Sequence, residues 1–243
     1  MEDISNMSFW DKHVLSLKSE ISEGLDLSRG KVRLTISYND SGYTKHLFNK
    51  YQDDDLFEMI KDPEYGNPPT IDEYSMSTLR CLDYMRYLER YVDLKEINNV
   101  IDFGSGYGNF CRIWKIFNPD VTYYNVDLEE MLEVQRDWIE NTVENKEDIH
   151  YITHRQLDQV DTNKSLFIAA YSLSECSFDV RKEVEVYLKD YDYIIIIYNK
   201  IFNNEYDNVK YFNDIQETVL CNHECDVIFN EESSKWWLVC KKK

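Results

Sequence analysis

The second half of the chain alternates short β-rich runs with segments of helical periodicity, and this alternation constrains the fold more than any other feature. The runs predicted as strands are residues 100–103, 121–126, 150–153, 166–171 and 194–198. Apolar residues at helical spacing predict helices near residues 110–117, 128–139, 180–191 and 211–219. Such alternation is typical of an α/β fold, in which helices cover a parallel sheet.

The C-terminal segment differs in kind, because two β-rich runs there have no helix between them. Residues 225–229 and 236–240 are separated by a short polar stretch, which predicts a hairpin. An otherwise parallel sheet would therefore end in an antiparallel pair. Residues 1–96 are predicted to form a mostly helical cap and substrate region on a main domain at 97–243, with a helix near 81–92 and a possible strand at 32–38.

Charge and hydropathy exclude several classes of function. With 46 acidic and 27 basic residues, the net charge of −19 disfavours general binding of nucleic acid. The longest apolar run, Tyr193 to Tyr198, is far shorter than the roughly 20 residues of a membrane-spanning helix. Because the N-terminus is acidic and lacks the pattern of a signal peptide, we expect a soluble, intracellular, cytoplasmic protein.

Six cysteines are scattered along the chain, mostly within apolar segments, and we expect them to be buried and reduced. One cluster, Cys221-Asn-His-Glu-Cys225, could hold zinc. A structural zinc site usually has two ligand pairs, however, and no second pair is present. Packing against the sheet is therefore the favoured interpretation of this cluster.

A glycine-rich loop follows the first predicted strand, in the sequence Asp102-Phe-Gly-Ser-Gly-Tyr-Gly108. Such a loop brings the backbone close to a ligand and exposes N–H groups at the start of the next helix. Dinucleotide-binding folds place a pyrophosphate there, but Asp102 would repel it, so a cationic group is the better match. Asp127, which ends the second strand, is positioned to accept hydrogen bonds from ribose hydroxyls.

Because of the glycine loop, Asp127 and the predicted C-terminal hairpin, residues 97–241 resemble the class I S-adenosylmethionine-dependent methyltransferases. The resemblance implies a Rossmann-like sheet of seven strands with an antiparallel C-terminal hairpin, and S-adenosyl-L-methionine as the cofactor. His154 falls where these enzymes surround the adenine, although it could equally be a surface histidine. The positions that the resemblance assigns to the cofactor are Asp102, Gly104, Ser105, Gly106, Gly108, Asp127, Leu128, His154 and Tyr171.

A finer resemblance is to a group of sugar O-methyltransferases from polysaccharide-building gene sets, which is itself largely defined by sequence. The similar segments are residues 64–69, 123–135 and 170–175. Asp102 departs from the glutamate of many members but keeps the charge. This similarity implies an acceptor hydroxyl on a glycan or a nucleotide-linked sugar.

The acceptor is expected beyond the carboxyl ends of the strands. Glu175 is the candidate catalytic base, with a helix-capping or loop-holding role as its alternative. Ser172, Ser174 and Tyr198 are candidate substrate residues, although the two serines could simply turn the chain. Because no paired acidic residues follow the fourth strand, we expect no metal requirement.

Three rival functions are weighed against this interpretation. Methyltransferases that act on amino groups of bases often carry Asn or Asp before Pro-Pro-aromatic after the fourth strand, where this chain has Tyr171-Ser-Leu-Ser. A nicotinamide-dependent oxidoreductase is disfavoured by Asp102 and by the terminal hairpin. A non-catalytic module of the same fold is disfavoured by the intact glycine loop with Asp127.

Overall fold

The computed structural model describes residues 15, 17–19, 21, 41–66, 68–202 and 206–243. The strand predicted at 32–38 lies outside the described residues. Seven strands form the main sheet. They are β1 (Asn99–Phe103), β2 (Thr122–Val126), β3 (Ile149–Ile152), β4 (Ser165–Ala170), β5 (Tyr193–Tyr198), β6 (His223–Asn230) and β7 (Lys235–Lys242).

The strand order is β6-β7-β5-β4-β1-β2-β3. Strands β1 to β5 are parallel, whereas β7 is antiparallel to both β5 and β6. The predicted α/β sheet with a C-terminal antiparallel hairpin is confirmed. The chain order reverses between β1 and β4, and the crevice beyond the carboxyl ends of these two strands is where open α/β sheets bind ligands.

Seven described helices accompany the sheet. They are α1 (Ser41–Tyr51), α2 (Met76–Leu88), α3 (Asn109–Phe117), α4 (Glu129–Thr142), α5 (Ser172–Glu175), α6 (Phe178–Leu188) and α7 (Asn208–Thr218). Side chains of α2, α3 and α4 share one core with the sheet, and those of α6 and α7 share the other. Among these helices, none combines the length and apolar composition needed to cross a bilayer.

A buried polar network joins the N-terminal region to the helix after the glycine loop. The Arg112 guanidinium donates to the carbonyl oxygens of Ile60 and Lys61, each at 3.0 Å. Its Nε donates to Asn109 Oδ1 at 2.9 Å, and Asn109 Nδ2 donates to Thr78 Oγ1 at 2.9 Å. Because Arg112 is only 4% exposed, this network fixes α3 against residues 60–78.

The cysteines at the hairpin differ from the expectation. Cys225 and Cys240 form a disulfide, since they lie opposite each other in the pairing of β6 with β7. Both were expected to be reduced. His223 Nε2 donates to the carbonyl oxygen of Tyr191 at 2.8 Å, and Cys221 is exposed. Within the Cys221–Cys225 cluster, Cys225 thus bridges the hairpin and His223 packs against Tyr191.

Candidate cofactor and acceptor site

A cavity of about 250 Å³ opens beside the glycine loop, at the switch point of the sheet. Its walls come from α2, from the loop between β1 and α3, and from the end of β4. Asp102, Gly104, Ser105, Gly106 and Tyr171 all line it. The structure therefore brings five of the residues predicted to bind a cofactor into one cavity, and α2 of the predicted cap closes one side.

Asp102 is the buried acid of this cavity. Its side chain is 4% exposed, and Tyr123 Oη donates to its Oδ2 at 2.8 Å. Burial raises the pKa of Asp102 to about 7, the nearby Asp127 raises it as well, and the Tyr123 hydrogen bond opposes both. A carboxyl held in this way gains stabilisation from a cationic partner, because the charged form lacks water.

Asp127 lies at the end of β2 and connects that strand to the glycine loop. The backbone N–H of Gly106 donates to its Oδ2 at 3.2 Å, and Gln135 Nε2 donates to the same oxygen at 3.1 Å. The N–H of Leu128 donates to Oδ1 at 2.8 Å. Burial raises the pKa of Asp127 to about 7, although these three donors lower it. A carboxylate offers about four acceptor positions, so one remains for a ligand hydroxyl.

Two glycines of the loop serve different purposes, although both have positive φ. At Gly104, with φ +73°, an added Cβ would overlap the Cβ of Ser172. At Gly106, with φ +60°, an added Cβ would meet nothing within 4 Å, so it would project into open space beside the cavity. Gly104 therefore allows the start of α5 to approach the loop after β1, whereas Gly106 leaves room for a ligand.

The rest of the loop fits a ligand cradle. The Ser105 hydroxyl oxygen is buried and has no hydrogen-bond partner among the described residues. Gly108 is the N-cap of α3 and lies against Ile139 of α4, so it serves packing between helices. Asp102 suits an ammonium group, Asp127 suits a ribose, and the open backbone of the loop lies between them. This arrangement suits the amino acid and nucleoside parts of S-adenosylmethionine.

Tyr171 follows β4 in a strained conformation, with φ of +73°. Its N–H donates to the carbonyl oxygen of Ile197 at 2.8 Å, and its own carbonyl accepts from Ser174 Oγ at 2.6 Å. A non-glycine residue in this region costs about 1 to 3 kcal/mol and persists only where its surroundings hold it. The strain is therefore built into the loop that would face an acceptor.

The predicted acceptor residues take different positions around this loop. The Ser172 hydroxyl donates to the carbonyl oxygen of Phe103, and Ser174 is fully buried. These hydroxyls hold the turn, which is the alternative stated for both serines. Glu175 ends α5 and is half-buried, and its carboxylate influences Lys235 electrostatically.

Tyr198 does not face the cavity, contrary to its assignment as a substrate residue. Its ring is fully buried in the core shared with α6 and α7, 4.5 Å from the ring of Phe212. Asp102 points toward the other face, where it accepts from Tyr123. Successive side chains of a strand alternate between faces, so the neighbouring Ile197 occupies the cavity side.

Four predicted cofactor residues lie outside the cavity lining: Gly108 and Asp127, described above, and Leu128 and His154. Leu128 is 38% exposed at the start of α4, and its N–H anchors Asp127. His154 begins the turn after β3 and pairs with Glu183 of α6 at 3.0 Å. Leu128 stays a predicted cofactor contact and His154 a predicted adenine contact, because no described contact tests either of them.

Sequence reasoning missed two cations near Tyr171. Arg80 of α2 lines the cavity, and its Cζ lies 5.0 Å from the centre of the Tyr171 ring. Lys235 at the start of β7 places its Nζ 5.7 Å from the same ring. The sequence offered one signal for Arg80, because this arginine lies four residues before Tyr84 on an otherwise apolar helix face. It offered no signal for Lys235, which lies at the start of a hairpin strand.

Comparison with protein-family models gave no match, and comparison with curated proteins gave none either. Among solved structures, an S-adenosylmethionine-dependent methyltransferase from Aquifex aeolicus is 17% identical. It aligns with a TM-score of 0.52 over 70% of this chain and 94% of that one. A Staphylococcus aureus protein, provisionally assigned as a caffeoyl-CoA O-methyltransferase, is 14% identical. It aligns with a TM-score of 0.52 over 83% of this chain and 100% of that one.

These similarities concern the fold, because the identities are low. The strand order and the antiparallel β6–β7 hairpin agree with them. The chain therefore has the fold of the class I S-adenosylmethionine-dependent methyltransferases.

Proposed function

We propose that the protein is an S-adenosylmethionine-dependent O-methyltransferase that acts on a sugar hydroxyl of a glycan or of a nucleotide-linked sugar. The observation that carries the proposal is the buried Asp102 carboxyl beside the open backbone of Gly106, with Asp127 at the end of the adjacent strand. This arrangement matches a cationic amino acid joined to a nucleoside. It does not match a pyrophosphate, which Asp102 would repel.

Residues in the cavity and at the adjacent end of β2 would divide the cofactor between them. Asp102 would accept from the ammonium group, and the remaining acceptor position of Asp127 would take one ribose hydroxyl. The Ser105 hydroxyl, buried and unpartnered within the described residues, would gain a hydrogen bond. Bound S-adenosylmethionine supplies an electrophilic methyl group on a sulfonium.

The protein would contribute alignment and proton removal to the reaction. In-line transfer needs the acceptor oxygen about 3 to 3.5 Å from the methyl carbon, so positioning is the main requirement. A sugar hydroxyl is a weak nucleophile at neutral pH, and a positioned base adds roughly 10² to 10⁴-fold to the rate. Glu175, at the carboxyl edge of the sheet, is the proposed base.

The choice of a sugar acceptor rests on the similarity of residues 64–69, 123–135 and 170–175 to sugar O-methyltransferases. In the structure, residues 170 and 171 border the cavity, and residues 172–175 form α5 behind it. Tyr65 donates to Asp137 at 2.6 Å, which connects the first similar segment to α4. Two of the three segments therefore adjoin the glycine loop: residues 170 and 171 line the same cavity, and Asp127 of the second segment accepts a hydrogen bond from Gly106.

Calorimetric titration with S-adenosylhomocysteine tests the cofactor. We expect micromolar binding by the protein and by Asp158→Ala, a control at an exposed aspartate, and loss of binding by Asp102→Ala. NAD should not bind. If a folded protein bound no S-adenosylhomocysteine, the enzyme proposal would fail and the non-catalytic module of the same fold would take its place.

Methyl transfer to a panel of nucleotide sugars and glycans tests the acceptor. With an active acceptor, we expect Glu175→Gln to lower the rate about 100-fold or more while it keeps the affinity for S-adenosylhomocysteine. The exposed Glu217→Gln serves as the matched control. An unchanged rate in Glu175→Gln would assign Glu175 to its alternative role in the loop.

A further inference from the structure

Two cations meet beside Tyr171, one of the residues that line the cavity, although the chain carries a net charge of −19. Arg80 reaches there from α2, and Lys235 reaches there from the start of β7, where Trp236 pairs with Tyr198 at the carboxyl end of β5. Both cations contact the ring of Tyr171, at 5.0 and 5.7 Å from its centre. Three separate parts of the chain thus converge on one positively charged place.

Neither cation is neutralised by a direct ion pair within the described residues. The Nε and Nη2 atoms of Arg80 donate to Tyr84 Oη at 3.1 and 2.7 Å, and this acceptor is uncharged. Lys235 Nζ donates to Asn199 Oδ1 at 2.7 Å, which is also uncharged. By contrast, Arg86, on the same helix as Arg80, forms ion pairs with three carboxylates.

The two charges also act on each other. Burial lowers the pKa of Lys235, Arg80 lowers it further, and Glu175 acts in the opposite direction. Bringing like charges together in a half-buried site costs free energy unless a ligand of opposite charge offsets it. The tyrosine ring supplies only part of that compensation, since cation–π contacts are weaker than ion pairs.

We propose that Arg80 and Lys235 form an anion-binding subsite for the methyl acceptor, which selects sugars that carry a phosphate or a carboxylate over neutral sugars. This inference rests on the proposed function and narrows its acceptor class. A sugar phosphate, as in a nucleotide-linked sugar, and a sugar acid share the required chemistry. Binding of the anion beside Tyr171 would hold the sugar at the mouth of the cofactor cavity.

The test uses the protein saturated with S-adenosylhomocysteine, so that the cofactor's own carboxylate is already in place. Calorimetry then follows glucose 1-phosphate, glucuronic acid and the neutral methyl glucoside. We expect at least one anionic probe to bind the wild type about tenfold more tightly than the neutral probe does. The stronger of the two anions identifies phosphate or carboxylate as the preferred group.

Three variants connect this binding to the cations. Arg80→Met and Lys235→Met should each lower the affinity for the anionic probe about tenfold. Arg90→Met is the matched control, because Arg90 is an exposed arginine whose Cζ also lies 5.0 Å from a tyrosine ring centre, that of Tyr87. It should leave both ligands unaffected. Thermal unfolding of each variant checks that the fold is retained.

Several outcomes would overturn the inference. The inference fails if the neutral probe binds as tightly as the anions, or if anion binding is unchanged in both variants. It also fails if neither anion binds at about 10 mM. Methylthioadenosine lacks the amino acid part of the cofactor. If Arg80→Met weakened the binding of S-adenosylhomocysteine but not that of methylthioadenosine, Arg80 would bind the cofactor carboxylate instead of the acceptor. Failure of S-adenosylhomocysteine to bind the wild type would overturn the proposed function, and anion titration without it would still test the cation pair.

Discussion

Replacement of Asp102 by asparagine should stabilise the protein, and the gain should grow with pH. The Asp102 carboxyl has an ordinary pKa of 3.8, which burial raises to about 7 in the folded protein. The folded state therefore holds a proton that the unfolded chain has released, and stability falls as the pH rises from about 4 to about 7. Asparagine keeps an acceptor for Tyr123 and carries no charge to bury.

The magnitude follows from the two pKa values. Each unit between them corresponds to about 1.4 kcal/mol, so the ionised carboxylate costs the fold about 4 kcal/mol at pH 8. At pH 5 most of the folded protein still holds the proton on Asp102, and the loss of folding free energy caused by this carboxyl is only about 1.6 kcal/mol. The advantage of Asp102→Asn should therefore increase by about 2 to 3 kcal/mol between pH 5 and pH 8.

Urea unfolding at pH 5 and pH 8, followed by tryptophan fluorescence, measures this difference. Asp158→Asn, at an exposed position, should show no such dependence on pH. The same Asp102→Asn protein should lose affinity for S-adenosylhomocysteine. A stability difference that is equal at both pH values would refute the reasoning, because the carboxylate would then be compensated within the fold.

Further predictions concern the loop, the hairpin and the pH dependence of binding. Gly104→Ala should lower the free energy of unfolding by about 2 to 5 kcal/mol, because its Cβ would overlap Ser172. Gly106→Ala should cost only about 1 kcal/mol in the same urea titration but weaken S-adenosylhomocysteine in calorimetry. Reduction of the Cys225–Cys240 disulfide, which spans 15 residues, should lower stability by about 3 kcal/mol, and Cys225→Ser should abolish that sensitivity. Affinity for S-adenosylhomocysteine should fall about tenfold from pH 8 to pH 6, as Asp102 with its pKa of about 7 takes up a proton; a flat profile would contradict this.

Local pattern predicted the elements of the sheet because each strand and helix here carries its own periodicity. The predicted strand at 100–103 is Asn99–Phe103 in the structure, and the predicted hairpin runs are extended by only a few residues. The position of Asp102 at a strand end beside three glycines also follows from local order. Helix α1, at Ser41–Tyr51, was not predicted.

Features that depend on how elements lie across one another were not predictable. The strand β5 is apolar on both faces, so alternation could not tell which face Tyr198 occupies. The disulfide depends on hairpin register, which a shift of one residue would change. Arg80 reaches the cavity because α2 lies beside the glycine loop. The position of a helix across a sheet cannot be predicted from the local pattern of a single sequence.

The Arg112 network has a consequence for how such a chain can change its specificity. Arg112 lies in α3, three residues after Asn109, yet its hydrogen-bond acceptors include carbonyl oxygens at positions 60 and 61. An N-terminal segment from another enzyme would have to supply those oxygens in place, or leave a buried guanidinium without them. We therefore expect the acceptor preference of the proposed methyltransferase to evolve by substitutions within the segment rather than by exchange of the segment as a module.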